Sequence, residues 1–546
     1  MRRFASALLV VLVGVIPSGV SGQILYTLTS PTPRFEAWFG WTVSGAGDVN
    51  GDGYDDVIVG APAETGGALS SGKAYVFSGN GGALLYSLQS PNAEDAGYFG
   101  SSVSGAGDVN ADMYDDVVVG AEIEDGGAVD AGRAYVFSGD GGGLLYTLES
   151  PYPESDGHFG FSVSGAGDVD GNGHADVMVG AYREDSGAPN SGRAYVFNGN
   201  GGGLLYTLAS PYQGDSDWFG VSVSGAGDVN DDDYDDMIVG ANGVDADTTS
   251  AGAAYIFSGN GGGLLYALSS PGAEWNGHFG SSVSSAGDVD NDGCDDVIVG
   301  APQETGGAAP GAGRAYIFGG NGGYLLQTIV SPYPEDGGFL GCSVSAAGDV
   351  NSDDFDDVVV AAHNEDGGAD AAGRAYIFGG AGGSILYTLE SPNAEAWGWF
   401  GWSVAGAGDI NKDGRPDVIV GACAEDDGAI QDAGRAYVFA PGGISVDEEP
   451  SPIAVAGVRL LGPFPNPTAG QINARVSVDA GGPRNLELSL HDVAGRLVAE
   501  LLRETVQDGH TIAVSWNADS HVAPGVYSWR LCTGGQEIRR PLILVR

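Results

Sequence analysis

The stretch at residues 48–56, DVNGDGYDD, lies between TVSGAG and VIVGAP and returns six more times, beginning at Asp108, Asp168, Asp228, Asp288, Asp349 and Asp409. The spacing is 60 residues except for one step of 61. So regular a period means that one supersecondary unit is copied, each copy burying its apolar faces only against its neighbours. Function therefore has to be read from the loop, from the assembly that carries it, and from whatever breaks the repetition.

Each repeat holds four short β signals separated by Gly, Asp and Ser turns, as at residues 101–106, 117–120, 133–137 and 144–148. Valine, tyrosine and phenylalanine dominate these runs and no segment sustains a helical period, so the unit is a four-stranded antiparallel sheet and the class is all-β. Seven such units predict a seven-bladed β-propeller over residues 23–440. The ends of the region favour a closed ring. The strand LLYTLxSP, or its variant LLQTIVSP, follows each of the first six AYVF or AYIF strands, but after AYVF at 436–439 it is missing. A matching ILYTLTS stands near the N-terminus with no preceding partner, so residues 24–29 are expected to complete the seventh blade.

With Phe39-Gly40 and Gly60-Ala61-Pro62 in the first repeat, and Phe279-Gly280 and Gly300-Ala301-Pro302 in the fifth, the chain resembles the FG-GAP family. These are seven-bladed propeller repeats known from the head of integrin α subunits and from many bacterial exported proteins. Leu340 replaces the phenylalanine in the sixth repeat, and the GAP proline becomes Glu122, Tyr182, Asn242, His363 or Cys423 elsewhere. Such changes touch loop shape more than ring formation. The resemblance implies metal binding by the acidic loops and an adhesive or binding role; no Arg-Gly-Asp and no inserted ligand-binding domain is present, so integrin-like partner choice is not carried over.

Within each nine-residue loop, positions 1, 3, 5 and 9 are always Asp or Asn. They are Asp48, Asn50, Asp52 and Asp56; Asp108, Asn110, Asp112 and Asp116; Asp168, Asp170, Asn172 and Asp176; and Asp228, Asn230, Asp232 and Asp236. The remaining loops supply Asp288, Asp290, Asp292 and Asp296; Asp349, Asn351, Asp353 and Asp357; and Asp409, Asn411, Asp413 and Asp417. Hard oxygen ligands converging from one tight turn fit Ca²⁺, one ion per blade and up to seven, better than Mg²⁺ or zinc. Position 7 varies without pattern (Tyr54, Tyr114, His174, Tyr234, Cys294, Phe355, Arg415), so it is expected to offer a backbone carbonyl and to be indifferent to its side chain. An EF-hand is excluded, because position 12 is valine every time, from Val59 to Val420, inside a β run and not a glutamate before a helix. The competing reading is that these residues only cap turns; seven copies of four oxygen-bearing positions would then crowd like charges without a counterion. Position 6 favours a residue tolerant of positive φ, and Met113 marks the second loop as the expected weakest site. Exported calcium modules bind at about 10⁻⁴ to 10⁻³ M, which suits structural ions.

The loops after the second strands carry Glu64, Glu124, Glu184, Glu365 and Glu425, with Trp38, Trp218, Trp275, Trp397 and Trp399 near the Phe-Gly positions. They read either as a ligand face for a protein or glycan, or as solvated carboxylates beside aromatics packed between blades. No GxSxG, no HExxH and no unique constellation supports catalysis; His158 and His278 occupy equivalent loop positions, and His363 near Glu365 stands alone. Cys294, Cys342, Cys423 and Cys532 lie at non-equivalent positions, unlike a disulfide framework, although Cys342 and Cys423 could meet across neighbouring blades.

The net charge of −51 falls almost wholly on the repeats, since residues 450–546 carry nine basic and eight acidic side chains. Such a surface repels phosphate backbones and attracts divalent cations, which argues against a nucleic-acid partner. Residues 1–22, with Arg2 and Arg3 before an apolar run, have the layout of a secretory signal peptide, leaving no transmembrane segment in the mature chain. After a linker at 441–455, residues 456–546 alternate like a small Ig-like β-sandwich. Asn466-Pro467, Asp492 to Arg496 (DVAGR) and Gly525 to Tyr527 (GVY) resemble the C-terminal sorting domain of type IX secretion cargo and the related FlgD-like immunoglobulin-type fold. That resemblance implies contact with bacterial secretion machinery and a secreted or cell-surface location. The whole reads as an exported adhesion or binding module; the rival is an exported hydrolase or lectin-like glycan processor with the propeller as scaffold.

Overall fold

The computed structural model describes residues 22–441, save 247, 307, 308 and 381, and strand segments between 453 and 544. Residues 1–21 of the expected leader, 442–452 of the linker, and Asn466-Pro467 lie outside the described residues. The chain divides after Gly442 into two units. Among the described residues every regular element is a strand, and no helix is long and apolar enough to cross a membrane.

The first unit holds seven four-stranded antiparallel sheets. In the first, Val43–Gly47, Asp56–Ala61, Lys73–Phe77 and Leu84–Leu88 follow one another as a meander. The second strand is buried on both faces along its whole length, which is why it reads as a continuous apolar run and not as an alternation. The fourth is half exposed and ends each sheet. The last sheet is assembled from both ends of the unit: Phe400–Gly408, Asp417–Ala422 and Arg435–Ala440 are completed by Gln23–Leu28, with Ile24 opposite Phe439 and Leu28 opposite Ala436.

Neighbouring sheets are joined along their first strands by a repeated bond. The amides of Val163, Val223, Val283, Val344 and Val404 donate to the hydroxyls of Ser102, Ser162, Ser222, Ser282 and Ser343 in the preceding sheet, at 3.0–3.1 Å. Val43 of the first sheet makes the same bond to Ser403 of the last, at 3.1 Å, so the row of sheets closes on itself. Apolar residues fill the space between each adjacent pair. Phe39, Val43, Val59, Tyr75 and Phe77 pack there with Leu28, Ile410, Ile419 and Val438 of the preceding sheet.

The Phe-Gly pair belongs to this junction. Phe99 lies 5.7 Å from the Tyr135 ring and 5.9 Å from Phe137, and its backbone bridges to Gly72 of the preceding sheet. Gly100, at φ +87°, lies so close that a Cβ would stand 2.3 Å from the Lys73 carbonyl. The GAP glycine answers it, since a Cβ on Gly60 would stand 2.1 Å from the Gly100 carbonyl. Ala361 replaces that glycine in the sixth sheet, and there the approach loosens: a Cβ on Gly401 would meet the Arg374 carbonyl at 2.7 Å, not 2.2–2.3 Å as at the other Phe-Gly glycines. The varied GAP prolines lie beyond this contact.

The glutamates of the second loops are neither solvated nor offered to a ligand. Glu64, Glu124, Glu184, Glu304, Glu365 and Glu425 are at most 1% exposed. Each accepts a hydrogen bond from the tyrosine hydroxyl of its own third strand (Tyr75, Tyr135, Tyr195, Tyr316, Tyr376, Tyr437). Each also faces a cation, Lys73 at 2.9 Å or an arginine at 3.1–3.9 Å. Burial is the reason these loops hold their shape: an ionised carboxylate leaves water only where hydroxyls and a cation replace it. Cys294, Cys342 and Cys423 are free thiols.

The second unit contains two four-stranded antiparallel sheets. Its strands include Arg484–Asp492, Thr511–Asn517 and Gly525–Thr533. Leu486, Leu488 and Leu490 are buried on one face of the first of these.

Replacing Arg374 by methionine leaves Glu365 buried without its cation, and stability is expected to fall by about 3–5 kcal/mol. Equilibrium denaturation of the full chain checks this; a change under about 1 kcal/mol would mean that the hydroxyls of Tyr376 and Ser331, which both donate to Glu365, alone satisfy the carboxylate.

Candidate metal centres on the acidic loops

Each acidic loop joins the first and second strands of a sheet, and its turn is held by its own carboxylates. Asp48 accepts the amides of Asp52 at 3.0 Å and Gly53 at 2.7 Å; Asp52 accepts that of Tyr54 at 3.0 Å. The same bonds recur from Asp108, Asp168, Asp228, Asp288, Asp349 and Asp409. Position 6 is left-handed whether it is Gly53 (φ 80°), Met113 (73°), Asp233 (66°) or Asp354 (69°). Position 4 is left-handed too, in all seven loops from Gly51 to Lys412. Two positive-φ residues flanking position 5 turn the chain so that alternate side chains face inward.

The ninth residue is the buried end of the site. Asp56, Asp116, Asp176, Asp236, Asp296, Asp357 and Asp417 are at most 1% exposed. Asp56 accepts the Val49 amide at 3.1 Å and the Gly79 amide at 2.9 Å, the latter from the turn between the third and fourth strands. Desolvation pushes these carboxyls far above the usual aspartate range, and the carboxylates of positions 1, 3 and 5 add to it. They reach about 7 in Asp56, Asp116, Asp296 and Asp357, about 6 in Asp176 and Asp236, and about 8 in Asp417.

In two loops three carboxylates converge with ligand oxygens within 4.8 Å of one another: Asp168, Asp170 and Asp176, and Asp288, Asp290 and Asp296. These are groups that could hold a metal ion. Turn capping does not account for Asp290, whose Oδ1 is buried with no hydrogen-bond partner. That oxygen needs a cation or a proton, so the residues fit the expected metal. In the first, fourth, sixth and seventh loops position 3 is an asparagine whose amide bonds the ninth carboxylate at 2.8–3.3 Å. Asn110 of the second loop makes no such bond among those described. Position 5 stands outside the two carboxylate triads, engaged by the amide of position 7.

The side chain of position 7, expected to be idle, reaches the preceding loop. A Cβ on Gly51 would meet the Tyr114 ring at 2.7 Å, and one on Gly171 the Tyr234 ring at 2.7 Å. His174 bonds the Val109 carbonyl at 3.1 Å, and Lys412 lies 3.8 Å from the centre of the Tyr54 ring. Loop-to-loop packing therefore uses several residue types, which hid it in the sequence.

Position 8 is a link that sequence reasoning missed. Asp115, Asp235, Asp295, Asp356 and Asp55 accept the amides of Asp48, Asp168, Asp228, Asp288 and Asp409 of the preceding loop, at 2.7–3.0 Å. Ala175 and Pro416 occupy the remaining two places. The recurrence of aspartate at five of seven positions was the available signal.

Residues 39–77, 99–137, 159–197, 279–318, 343–378 and 400–439 match the FG-GAP repeat model. Six segments of the chain are therefore similar to the FG-GAP repeat. It is 33% identical over 222 residues to integrin alpha-5 of Xenopus laevis, covering 38% of this chain and 20% of that protein. It is 38% identical over 161 residues to integrin alpha-IIb of Mus musculus (27% and 15%) and 30% identical over 223 residues to integrin alpha-V of Gallus gallus (38% and 20%). The chain thus spans a fifth or less of the length of these relatives. Together with the repeated four-stranded sheets, the matches support an FG-GAP β-propeller.

The raised carboxyls fix how pH acts on the metal-free protein. Between about pH 4 and pH 8 the folded state holds more protons than the unfolded one, so stability is greatest at the acid end and is lost as the pH rises through 6–8. In chelator the melting temperature is expected to fall steadily from pH 5 to pH 8. Excess Ca²⁺ should flatten most of that slope, leaving the part due to Glu365 and Glu425, each raised to about 7 by burial. Identical slopes with and without Ca²⁺ would show that the loops take no ion.

Proposed function

We propose that the chain is an exported, calcium-stabilised β-propeller acting as an adhesion or binding module, with ions at the acidic-loop end and ligand at the other. The observation that carries this reading is a row of six rings on the opposite end. Trp38 stacks on Trp41 at 5.3 Å, Trp41 meets Trp402 at 4.7 Å, and Trp402 stacks on Trp399 at 5.3 Å. His363 follows at 5.0 Å from Trp402, then Phe339 at 5.7 Å from His363. The rings cross three adjacent sheets and all are only half buried. Burial pushes His363 down to about 4, so it presents a neutral ring at neutral pH. Rigid amphipathic rings offer large contact area at low entropic cost.

Calcium is the ion we assign to all seven loops, with the position-7 carbonyl among its ligands and the second loop as the weakest site. Oxygen-only donors and the irregular turn favour it over Mg²⁺. The C-terminal unit is proposed as an Ig-like sorting domain that addresses the protein to a bacterial secretion system and the cell surface. No catalytic role is assigned to the propeller. A glycan ligand is the second reading, because stacked tryptophans suit sugar faces as well as protein side chains.

Binding of the full chain to panels of extracellular-matrix proteins and of polysaccharides, in Ca²⁺, tests the assignment. Trp41→Ala and Trp402→Ala are expected to weaken capture at least tenfold while leaving the melting temperature within a few degrees. Turnover of a polysaccharide would favour the enzyme reading, and capture that survives both substitutions would remove the ring row from the function.

A further inference from the structure

The loop that leads into the first sheet reverses a charge that five other sheets share. Ahead of their Phe-Gly or Leu-Gly pairs, the second, third, fifth, sixth and seventh sheets carry Glu94, Glu154, Glu274, Glu335 and Glu395. Each accepts the backbone amide of the residue just after the buried glutamate of its own sheet. Glu154, Glu274 and Glu335 take those of Asp185, Thr305 and Asp366 at 2.8–2.9 Å, and Glu94 and Glu395 take those of Asp125 and Asp426. The partners stand 31 residues apart every time. In the first sheet the place of that glutamate is held by Arg34, and the residue after the buried Glu64 is Thr65.

Among the described residues no other carboxylate fills the gap. The Thr65 amide has no acceptor there, and Arg34 is exposed with no carboxylate in ion-pair reach. Glu36, the one acidic side chain on the surrounding wall, makes no pair with it. The neighbouring cation is occupied as well. In three sister sheets an arginine of the third strand pairs with the glutamate of the leading loop, Arg193 with Glu154, Arg314 with Glu274 and Arg374 with Glu335, at 3.4–3.6 Å. Lys73 has that position in the first sheet and turns to Glu64 at 2.9 Å and Thr32 at 3.3 Å. A backbone amide and a guanidinium are thus left beside a place where five sheets put a carboxylate.

Both donors line one cavity of about 610 Å³, whose other walls include Phe35, Leu69, Tyr98 and Ile430. It spans loops of the seventh, first and second sheets, and backbone bonds between those sheets hold it open. The Glu36 and Trp38 amides donate to the carbonyls of Gln431 and Asp432 at 3.2 and 3.4 Å; those of Ala96 and Tyr98 donate to Leu69 and Ser70 at 2.8 and 3.4 Å. Phe35 and Leu69 are 61% and 68% exposed, so apolar surface stands bare at the mouth. The place of Phe35 is Asp95, Ser155, Asp215 or Asp336 before four other sheets. Cation and apolar wall therefore arise together, in this loop alone among the seven.

We propose that this cavity binds an organic carboxylate that carries an apolar group. The carboxylate takes the glutamate's place, accepting from the Arg34 guanidinium and the Thr65 amide, and the apolar part lies against Phe35, Leu69 and Ile430. A guanidinium offers two parallel N–H donors, which match the two oxygens of a carboxylate better than a spherical anion. A mostly apolar cavity of this size with a few convergent polar groups suits a small molecule or a single large side chain. Trp38 lies on the wall and also belongs to the ring row, but the site rests on Arg34 and Thr65 and stands whatever those rings bind. The source is either a small free acid or the C-terminal carboxylate of a peptide that ends in an apolar residue.

Calorimetric titration of the full chain with N-acetylphenylalanine against its neutral amide tests this. Salt of about 0.15 M, with a screening length of about 8 Å, removes most of the long-range repulsion from a net charge of −51. One equivalent of the acid is expected to bind, with the amide at least tenfold weaker. Arg34→Gln should weaken binding of the acid at least tenfold. Arg34→Glu should restore the sister bond to the Thr65 amide from within, abolish binding and raise the melting temperature. Equal binding of acid and amide, many weak equivalents, or binding that survives Arg34→Glu would overturn the proposal, and the first of these readouts needs no variant. Under the same conditions N-acetyl-Gly-Gly-Phe and 3-phenylpropanoate separate the sources: tighter binding of the peptide assigns a peptide C-terminus, and tighter binding of phenylpropanoate assigns a small free acid.

Discussion

At six of the seven junctions between neighbouring sheets the backbone of a glycine in one second strand lies against the carbonyl of the Phe-Gly glycine in the next, as Gly60 does against Gly100. No side chain fits between them. That contact sets the distance at which two sheets meet, and the distance decides the rest: Phe99 reaches Tyr135 and Phe137, the first-strand amides reach serine hydroxyls one sheet back, and acidic loops come within bonding range of one another. Interiors packed at crystal-like density tolerate little change in such a spacing. The sixth sheet, with Ala361, shows the tolerance that exists, because the chain opposite it moves back by a few tenths of an ångström.

Charge is arranged against that frame in two ways. At one end, carboxylates are clustered against one another, and the desolvated ninth aspartates sit at 6–8 where free aspartate would be near 4. At the other end, single glutamates are as fully buried but answered by tyrosine, serine and arginine. The first arrangement needs something added from solution; the second is complete in six sheets of seven. The contrast separates carboxylates that could hold a metal from carboxylates that serve as struts.

Much of this was legible in the residues themselves. The 60-residue period, the four β runs per repeat and the Phe-Gly and GAP positions pointed to repeated four-stranded sheets of FG-GAP type, and the sheets and six matched repeats agree. The sequence also located the acidic loop, because side chains that meet within nine residues leave a pattern of alternation. It could not show which carboxylates converge or that position 4 is left-handed, since Gly51, Ala111 and Lys412 share no chemistry. Nor could it show contacts made across sheets: Asp115 finds the Asp48 amide over 67 residues of chain. The second-loop glutamates were misjudged for a related reason. A carboxylate in a Gly- and Asp-rich loop reads as solvated, and only the fold brings Ser331, Tyr376 and Arg374 around Glu365.

The pairing of Gln23–Leu28 with Arg435–Ala440 has a kinetic side. All other strand pairs of the first unit join neighbours in sequence, so each of its six other sheets can form from a local meander, whereas the last must wait for a contact spanning nearly the entire unit. Loop-closure entropy grows slowly with length but is met before any of the reward, which makes this contact the slow one. The strand made first is then fastened last. The same pairing is also the clasp of the first unit, since detaching residues 23–28 undoes the one sheet that is built from both of its ends.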